Sequence, residues 1–179
     1  MEKVYVLKVA FKARKGLWRE IEIMGNQTLG DFDQIIRSAF GHDTFDHLSE
    51  FFLGRALRSE GLGEINPFGE GSGSRVRVEE LGLFEGDKIE YVYDFGDDIQ
   101  HVITLEKIVE PAEGVQYPRI SSRNKPRHRY CETCKNDGRK TVAAWICIKC
   151  SEKMGKAVFF CKECMENEHP DHYAEELVY

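Results

Sequence analysis

The final third of the chain carries four pairs of potential metal ligands, and two residues separate the members of each pair. A tight turn can direct both side chains of such a pair at one ion. Structural zinc takes four ligands, so eight ligands predict two closed sites. One pair is weak evidence, but four pairs within 42 residues strongly constrain the fold of this segment. The ligands are Cys131 and Cys134, Cys147 and Cys150, Cys161 and Cys164, and His169 and His172.

The spacing leaves open which pairs share an ion. In an interleaved arrangement, a cross-brace, the first and third pairs bind one zinc and the second and fourth pairs bind the other. In a sequential arrangement, the first two pairs bind one zinc and the last two bind the other. We favour the cross-brace, because the ligand order resembles that of B-box and ZZ-type zinc modules. A third alternative treats His169 and His172 as surface histidines, which leaves one four-sulfur site.

All six cysteines lie beyond residue 130, which bears on compartment and on redox chemistry. Clustered cysteine pairs in a reducing cytosol indicate metal ligands rather than disulfides. A redox role would need one pair at a helix start in a thioredoxin-like context, and the presence of three pairs disfavours it. The N-terminal segment lacks the apolar region of a signal peptide, and no apolar run predicts a membrane span. We therefore expect a cytoplasmic protein without a membrane partner.

The first 110 residues predict an α+β domain, a mixed β-sheet roll with one principal helix. Residues 4–11 and 17–24 alternate in a way typical of two strands of a hairpin. A helix is predicted to begin after Thr28, which has a capping-box pattern, and to end at Gly41. Further strands are predicted at 47–53, 75–78, 88–93 and 100–109, and the glycine-rich residues 54–73 predict a long loop.

Residues 111–129 predict a basic, proline-containing linker to a zinc-binding module at 130–179. Net charge is −8 over residues 1–120 and +2 over residues 121–179. An acidic N-terminal part disfavours a grip on a phosphate backbone there, because positive charge dominates nucleic-acid affinity. A solvated surface is the simpler interpretation of the basic run Arg119–Arg129. Nucleic-acid binding through this run and the zinc module stays an open alternative.

Two segments of the first domain, 41–48 and 91–101, concentrate acidic and histidine residues. We predict that His47, Asp94, Asp97 and His101 converge, because carboxylates and imidazoles together bind metals or transfer protons. The competing interpretation is structural. Residues 94–98 are also typical of a hairpin turn, in which aspartate side chains accept neighbouring amides and Gly96 is left-handed.

These same segments resemble the plasmid pRiA4b ORF-3-like family over about residues 3–110. The most specific match is the stretch Tyr93-Asp94-Phe95-Gly96-Asp97-Asp98, followed by His101 and Leu105-Glu106. Supporting matches are Val6–Val9, Leu17–Ile21, Ala39–Gly41, His47-Leu48 and Phe51-Phe52. The resemblance implies an α+β roll and association with mobile elements, but no defined activity. Beyond residue 110 the cysteine array replaces the proline- and glycine-rich acidic segment that is usual in the family.

Three functional hypotheses follow from the sequence. We favour a binding or adaptor protein that has a protein partner and two structural zinc ions, because eight ligands for two ions leave no open catalytic position. The first alternative is a metal-dependent hydrolase that uses Asp94, Asp97, His101 and His47. The second is a nucleic-acid-binding protein linked to mobile elements. Whether the chain is an enzyme stays open at this stage, with a non-enzymatic role favoured.

Overall fold

The two N-terminal strands and the helix that follows them form as their sequence pattern predicts. β1 (Val4–Phe11) and β2 (Trp18–Met24) pair antiparallel, from Val4 opposite Met24 to Ala10 opposite Trp18. α1 (Leu29–Phe40) begins at Thr28, whose hydroxyl accepts the Asp31 amide while the Asp31 carboxylate accepts the Thr28 amide. Gly41 ends α1 in a left-handed conformation (φ 67°), which glycine adopts without a steric penalty.

The structure, a computed structural model, describes residues 2–14, 16–54 and 60–179. Seven strands form one sheet in the order β4-β3-β5-β6-β1-β2-β7, which confirms the α+β class. The strands that complete the sheet are β3 (Ser49–Leu53), β4 (Gly61–Ile65), β5 (Lys88–Tyr93), β6 (Ile99–Val109) and β7 (Arg119–Arg123). Every pairing between these strands is antiparallel, so the prediction of a mixed sheet was wrong.

The region between β3 and β5 also departs from the predictions. Residues 54–73 contain a strand, β4, and residues 55–59 of that range lie outside the described residues. A Cβ on Gly73 would lie 2.1 Å from the Gly63 carbonyl oxygen, so close backbone packing accounts for glycine at this position. The strand predicted at 75–78 is replaced by a short 3₁₀ helix, Val78–Leu81. Only Arg77 keeps a β-type contact there, an isolated bridge to Thr28.

The predicted linker at 111–129 is not a separate segment. It contains β7, which pairs with β2 from Arg19 opposite Arg123 to Glu22 opposite Arg119. All five residues of β7 are exposed and four of them are polar, so its place at the sheet edge comes from this pairing rather than from burial. The chain divides into two compact units after Asn124, and the second comprises Lys125–Tyr179.

α1 covers one face of the sheet and carries the first unit's principal core contacts. The Phe32 and Phe51 rings stack with centroids 5.4 Å apart, and Phe40 meets His101 edge-on at 4.7 Å. Leu29, Phe32 and Ile36, which lie at helical spacing on one face of α1, are completely buried. This packing sets the end of α1, and therefore residues 41–48, beside β5 and β6.

The second unit is a small three-stranded antiparallel sheet with three short helices. The strand order is β10-β8-β9. Its elements are α2 (Glu132–Asn136), β8 (Trp145–Cys147), α3 (Ile148–Met154), β9 (Phe159–Phe160), α4 (Lys162–Glu168) and β10 (Ala174–Glu176). Across the described parts of both units, no helix is long and apolar enough to cross a membrane.

Candidate metal centres and the histidine cluster

Each cysteine pair of the second unit begins a helix. Cys131, Cys147 and Cys161 are the N-caps of α2, α3 and α4, and the second cysteine of each pair lies in the first turn. The Cys150 amide donates to Cys147 Sγ at 3.4 Å. Free amides at a helix start favour negative charge, so this position suits thiolates. The sequence predicted the two-residue turn but not that all three pairs begin helices.

The first group consists of Cys131, Cys134, Cys161 and Cys164, which are all buried. Their four sulfurs lie within 4.8 Å of one another. Cys134 Sγ lies 3.9 Å from Cys161 Sγ and 3.7 Å from Cys164 Sγ. Sulfur atoms about 3.8 Å apart are expected at the corners of a tetrahedron with metal–sulfur bonds of about 2.3 Å. The distances are far too long for disulfides, and all six cysteines are free.

The second group consists of Cys147, Cys150 and His172. His172 Nδ1 lies 3.4 Å from both sulfurs. His169 Nδ1 lies 3.7 Å from Cys150 Sγ and completes a set of four donors, although it falls outside the tight 4.8 Å group. Nitrogen and sulfur ligands of a tetrahedral zinc lie about 3.5 Å apart, so these distances fit one ion.

This grouping is the interleaved arrangement. The first pair meets the third and the second meets the fourth, whereas the sequential arrangement would join the first to the second. Both histidines face cysteine sulfurs, which disfavours their interpretation as surface residues. Although the pairs begin helices, each sulfur lies against another pair, so a separate redox disulfide site is not favoured either.

Packing shifts the pKa values of several thiols in these two groups. Burial raises the pKa of Cys150, Cys161 and Cys164, and the adjacent cysteines raise that of Cys164 further. At Cys131 burial acts in the same direction, but hydrogen bonds from neighbouring cysteines outweigh it and lower the pKa. Several thiolates packed together repel one another, so full ionisation of a group requires a cation among its sulfurs.

The ligands also form most of the second unit's core. Five of its eight buried core residues are cysteines, and the others are Val158, Phe160 and Met165. Few apolar side chains remain to exclude water if the cysteines separate. The fold of this unit therefore depends on what holds its sulfurs together.

The predicted cluster of His47, Asp94, Asp97 and His101 is not assembled in the first unit. His47 Nδ1 pairs with Asp94 Oδ2 at 3.2 Å, while His101 contacts His42 instead. Asp97 is exposed. Within residues 2–14, 16–54 and 60–179, three or more candidate ligands gather within 4.8 Å only in the two cysteine groups. The spacing of residues in the sequence could not reveal that His101 contacts His42, because the two histidines are 59 residues apart.

The turn interpretation of residues 94–98 is confirmed with one change. Asp94 Oδ1 accepts the amides of Gly96 at 2.9 Å and Asp97 at 3.3 Å. The left-handed residues are Asp94 (φ 54°) and Asp98 (φ 51°) rather than Gly96. His47, whose imidazole contacts the Asp94 carboxylate, is also left-handed (φ 68°). Such conformations are unusual for residues other than glycine and persist where surrounding contacts fix them.

A pair of imidazoles, the half-buried His42 and the buried His101, was missed by the sequence prediction. Their Nε2 atoms lie 3.2 Å apart. The His42 ring stacks on Tyr93 at 4.3 Å, and the His101 ring meets Phe11 edge-on at 5.0 Å. Burial, then the Arg37 charge, lowers the pKa of His42 to about 4. Burial, then the neighbouring His42, lowers the pKa of His101 to about 3. Both imidazoles are therefore neutral at physiological pH.

A buried ion pair fixes the loop that carries His42 and His47. Arg37 Nε donates to Asp33 Oδ2 at 2.8 Å, and both side chains are completely buried. The same guanidinium donates to the carbonyls of Asp43 and His47, each at 3.1 Å. Asp33 Oδ1 also accepts the Tyr91 hydroxyl at 2.7 Å, which ties α1 to β5. In the sequence, Asp33 and Arg37 have the i, i+4 spacing of an ordinary exposed ion pair on a helix. Their burial becomes evident only when α1 is seen to pack against the sheet.

An open pocket of about 330 Å³ lies beside the turn. It is lined by Phe11, Lys12, Ala13, Asp97, Asp98, Ile99 and Gln100. Asp97 thus faces an accessible groove although it does not join a ligand cluster.

Comparison with known proteins identifies a family and a similar solved structure but no assigned activity. The family model described as plasmid pRiA4b ORF-3-like protein matches residues 3–134. This match extends further than the expected 3–110 and includes β7 and the first cysteine pair. A solved structure described as a protein of unknown function, MM3350 from Methanosarcina mazei Go1, is 28% identical with a TM-score of 0.55. The match covers 69% of this chain and 70% of that one. No curated protein matches the chain.

Proposed function

This chain belongs to the plasmid pRiA4b ORF-3-like family, and we propose that it is a binding or adaptor protein whose C-terminal unit is built on two structural zinc ions. Cys131, Cys134, Cys161 and Cys164 would hold one ion. Cys147, Cys150, His169 and His172 would hold the other. When bound, each zinc supplies positive charge that neutralises the thiolates and directional bonds that join distant parts of the chain.

One observation carries this proposal: seven of the eight donors form two groups whose distances suit tetrahedral coordination, and His169 Nδ1 lies 3.7 Å from a sulfur of the second group. Thiolate and imidazole donors in fours are the ligand chemistry of structural zinc. Because each ion would have four protein ligands, neither would keep an open position for a substrate or an activated water. These ions would therefore hold the fold and act in no reaction.

In this proposal the zinc-supported unit provides one binding surface. The first unit provides another, the groove beside Asp97 and Asp98. The buried Asp33–Arg37 pair and the left-handed residues His47 and Asp94 support it, because they hold the neighbouring loops in one conformation. The alternative of a metal-dependent hydrolase lacks such support. Of its predicted ligands only His47 and Asp94 contact each other, whereas His101 contacts His42 and Asp97 is exposed. A protein partner and a cytoplasmic location are parts of the same proposal, in keeping with free cysteines held as metal ligands.

Diffraction data collected on both sides of the zinc absorption edge test the proposal in crystals of the full chain. We expect two anomalous peaks, one among the four sulfurs of the first group and one among the sulfurs and imidazoles of the second. A single anomalous peak would overturn the proposal. A peak coordinated by both the first and the second cysteine pair would also overturn it, because the proposal assigns these pairs to different ions. Crystals of a Cys161→Ser variant provide the matched control, because the first peak should weaken or vanish there.

A further inference from the structure

Charge is strongly segregated along the second unit. Residues 125–156 hold nine Lys or Arg and three Asp or Glu, whereas residues 161–179 hold one basic residue and six acidic ones. The overall balance of the segment conceals this asymmetry. A basic region next to an acidic one points to a directed surface for an anionic partner.

The basic part includes an open cleft of about 320 Å³ beside the first cysteine pair. It is lined by Tyr130, Lys135, Gly138, Arg139 and Lys140, and no carboxylate is among the lining residues. Tyr130 is 39% exposed, and Lys140 Nζ lies over its ring, 4.8 Å from the centroid. An exposed aromatic residue and three exposed cations therefore lie together in the cleft.

Backbone hydrogen bonds fix this cleft to the first metal group. The Cys131 amide donates to the Thr141 carbonyl at 2.9 Å, and the Arg139 amide donates to the Cys134 carbonyl at 2.7 Å. A bridge between Tyr130 and Val142 closes the loop at its base. Tyr130 and the three cations consequently keep their relative positions as long as Cys131 and Cys134 are held.

From this geometry we propose that the cleft binds single-stranded nucleic acid. A base stacks on the Tyr130 ring, and Lys135, Arg139 and Lys140 contact the adjoining phosphates. Aromatic side chains in a basic groove are the usual means by which proteins hold unpaired strands, because every base has a face that can stack. In duplexes the bases are already stacked, so single strands are favoured.

An acidic peptide is the competing occupant, since it would also be attracted by the three cations. The exposed ring favours nucleic acid, because a carboxylate gains nothing from the face of Tyr130, whereas a base gains stacking. Arg139 is partly neutralised by Asp137, whose Oδ2 lies 3.1 Å from its guanidinium. We therefore expect Lys135 and Lys140 to contribute more than Arg139.

Fluorescence anisotropy of the zinc-loaded full chain with labelled oligo-dT and oligo-rU tests this proposal. Tyr130→Ala should weaken binding by about tenfold or more, and Tyr130→Phe should restore it, because stacking needs the ring and not the hydroxyl. Lys140→Glu should weaken binding at low salt. It should also reduce the slope of log affinity against log salt by about 0.7 for the lost phosphate contact. Lys156→Glu reverses an exposed charge outside the cleft lining and should change binding much less.

The inference rests on the proposed metal-supported fold, so zinc content is measured for every variant. Wild-type protein that retains its zinc but does not bind either oligonucleotide would overturn this proposal and leave the zinc proposal intact. Tighter binding of labelled poly-glutamate than of oligo-dT would overturn it in favour of an acidic peptide. Equal losses in Lys140→Glu and Lys156→Glu would also overturn it, because they would show attraction to net charge alone.

Discussion

The two units of this chain achieve stability by different means. The first buries apolar side chains from α1 and a seven-stranded sheet, with one buried ion pair inside. The second buries mainly cysteines, which form five of its eight core residues. Apolar burial stabilises a fold whether or not a ligand is present, whereas sulfur atoms packed at ligand distances stabilise it only with a cation. The stability of the second unit therefore cannot be judged from its hydrophobic content alone.

The largest predicted effect is that of metal removal, which should unfold the second unit and leave the first unit folded. A structural zinc contributes about 10–16 kcal/mol of apparent binding free energy in small zinc modules, so chelation should unfold the second unit. Each unit contains one of the two tryptophans, Trp18 and Trp145, so each can be followed separately. In a Trp18→Phe background, Trp145 fluorescence should report unfolding on chelation. In a Trp145→Phe background, the urea transition reported by Trp18 should not move. Simultaneous unfolding of both units would contradict this independence.

The next largest effect should come from the buried pair in the first unit. Arg37→Met leaves Asp33 buried without its cation and should lower the free energy of unfolding by about 3–5 kcal/mol. Urea denaturation followed by Trp18 in the Trp145→Phe background measures the change. The control is Glu110→Gln, which breaks an exposed pair with Lys3 and should cost less than about 1 kcal/mol. Similar losses for the two variants would show that burial of Arg37 is unimportant.

The imidazole pair should make the first unit sensitive to acid. The pKa of His42 is lowered from 6.5 to about 4 in the folded state, so the unfolded chain binds more protons between these pH values. The free energy of unfolding should therefore fall as pH is lowered through this window. His42→Phe keeps an aromatic ring against Tyr93 but removes the titration. It should reduce the pH slope by about 1.4 kcal/mol per pH unit for each proton removed. His128→Phe, in the other unit, should leave the slope unchanged, and an unchanged slope in His42→Phe would contradict the prediction.

The smallest predicted effect concerns the left-handed conformation of His47. His47→Gly and His47→Ala both remove the imidazole contact with Asp94, so the difference in stability between the two variants isolates the backbone effect. Alanine at positive φ is disfavoured by about 1 kcal/mol relative to glycine, so His47→Gly should be the more stable variant by that amount. Urea denaturation of the two His47 variants measures this difference in the free energy of unfolding. Equal stability would show that the loop relaxes away from its left-handed conformation.

The sequence predicted those features whose cause is local. The capping box at Thr28, the hairpin of β1 and β2, and the ligand pairs depend on residues a few positions apart, and all are present. The missed features depend on distant partners. Arg37 and His42 resemble surface residues until β3, β5 and β6 pack against them. β7 is exposed and mostly polar, and its place depends on its pairing with β2. The cross-brace was favoured from ligand order, but the sequence could not exclude the sequential arrangement.

The most direct test of the central claim is the metal content of the purified full chain. Elemental analysis of gel-filtered protein, prepared without added metal or chelator, gives the number of zinc ions per chain. The account predicts close to two, because the eight proposed donors would be divided between two closed sites. A value of one would show that the second group, with His169 and His172, is not a zinc site, and a value near zero would contradict the account altogether.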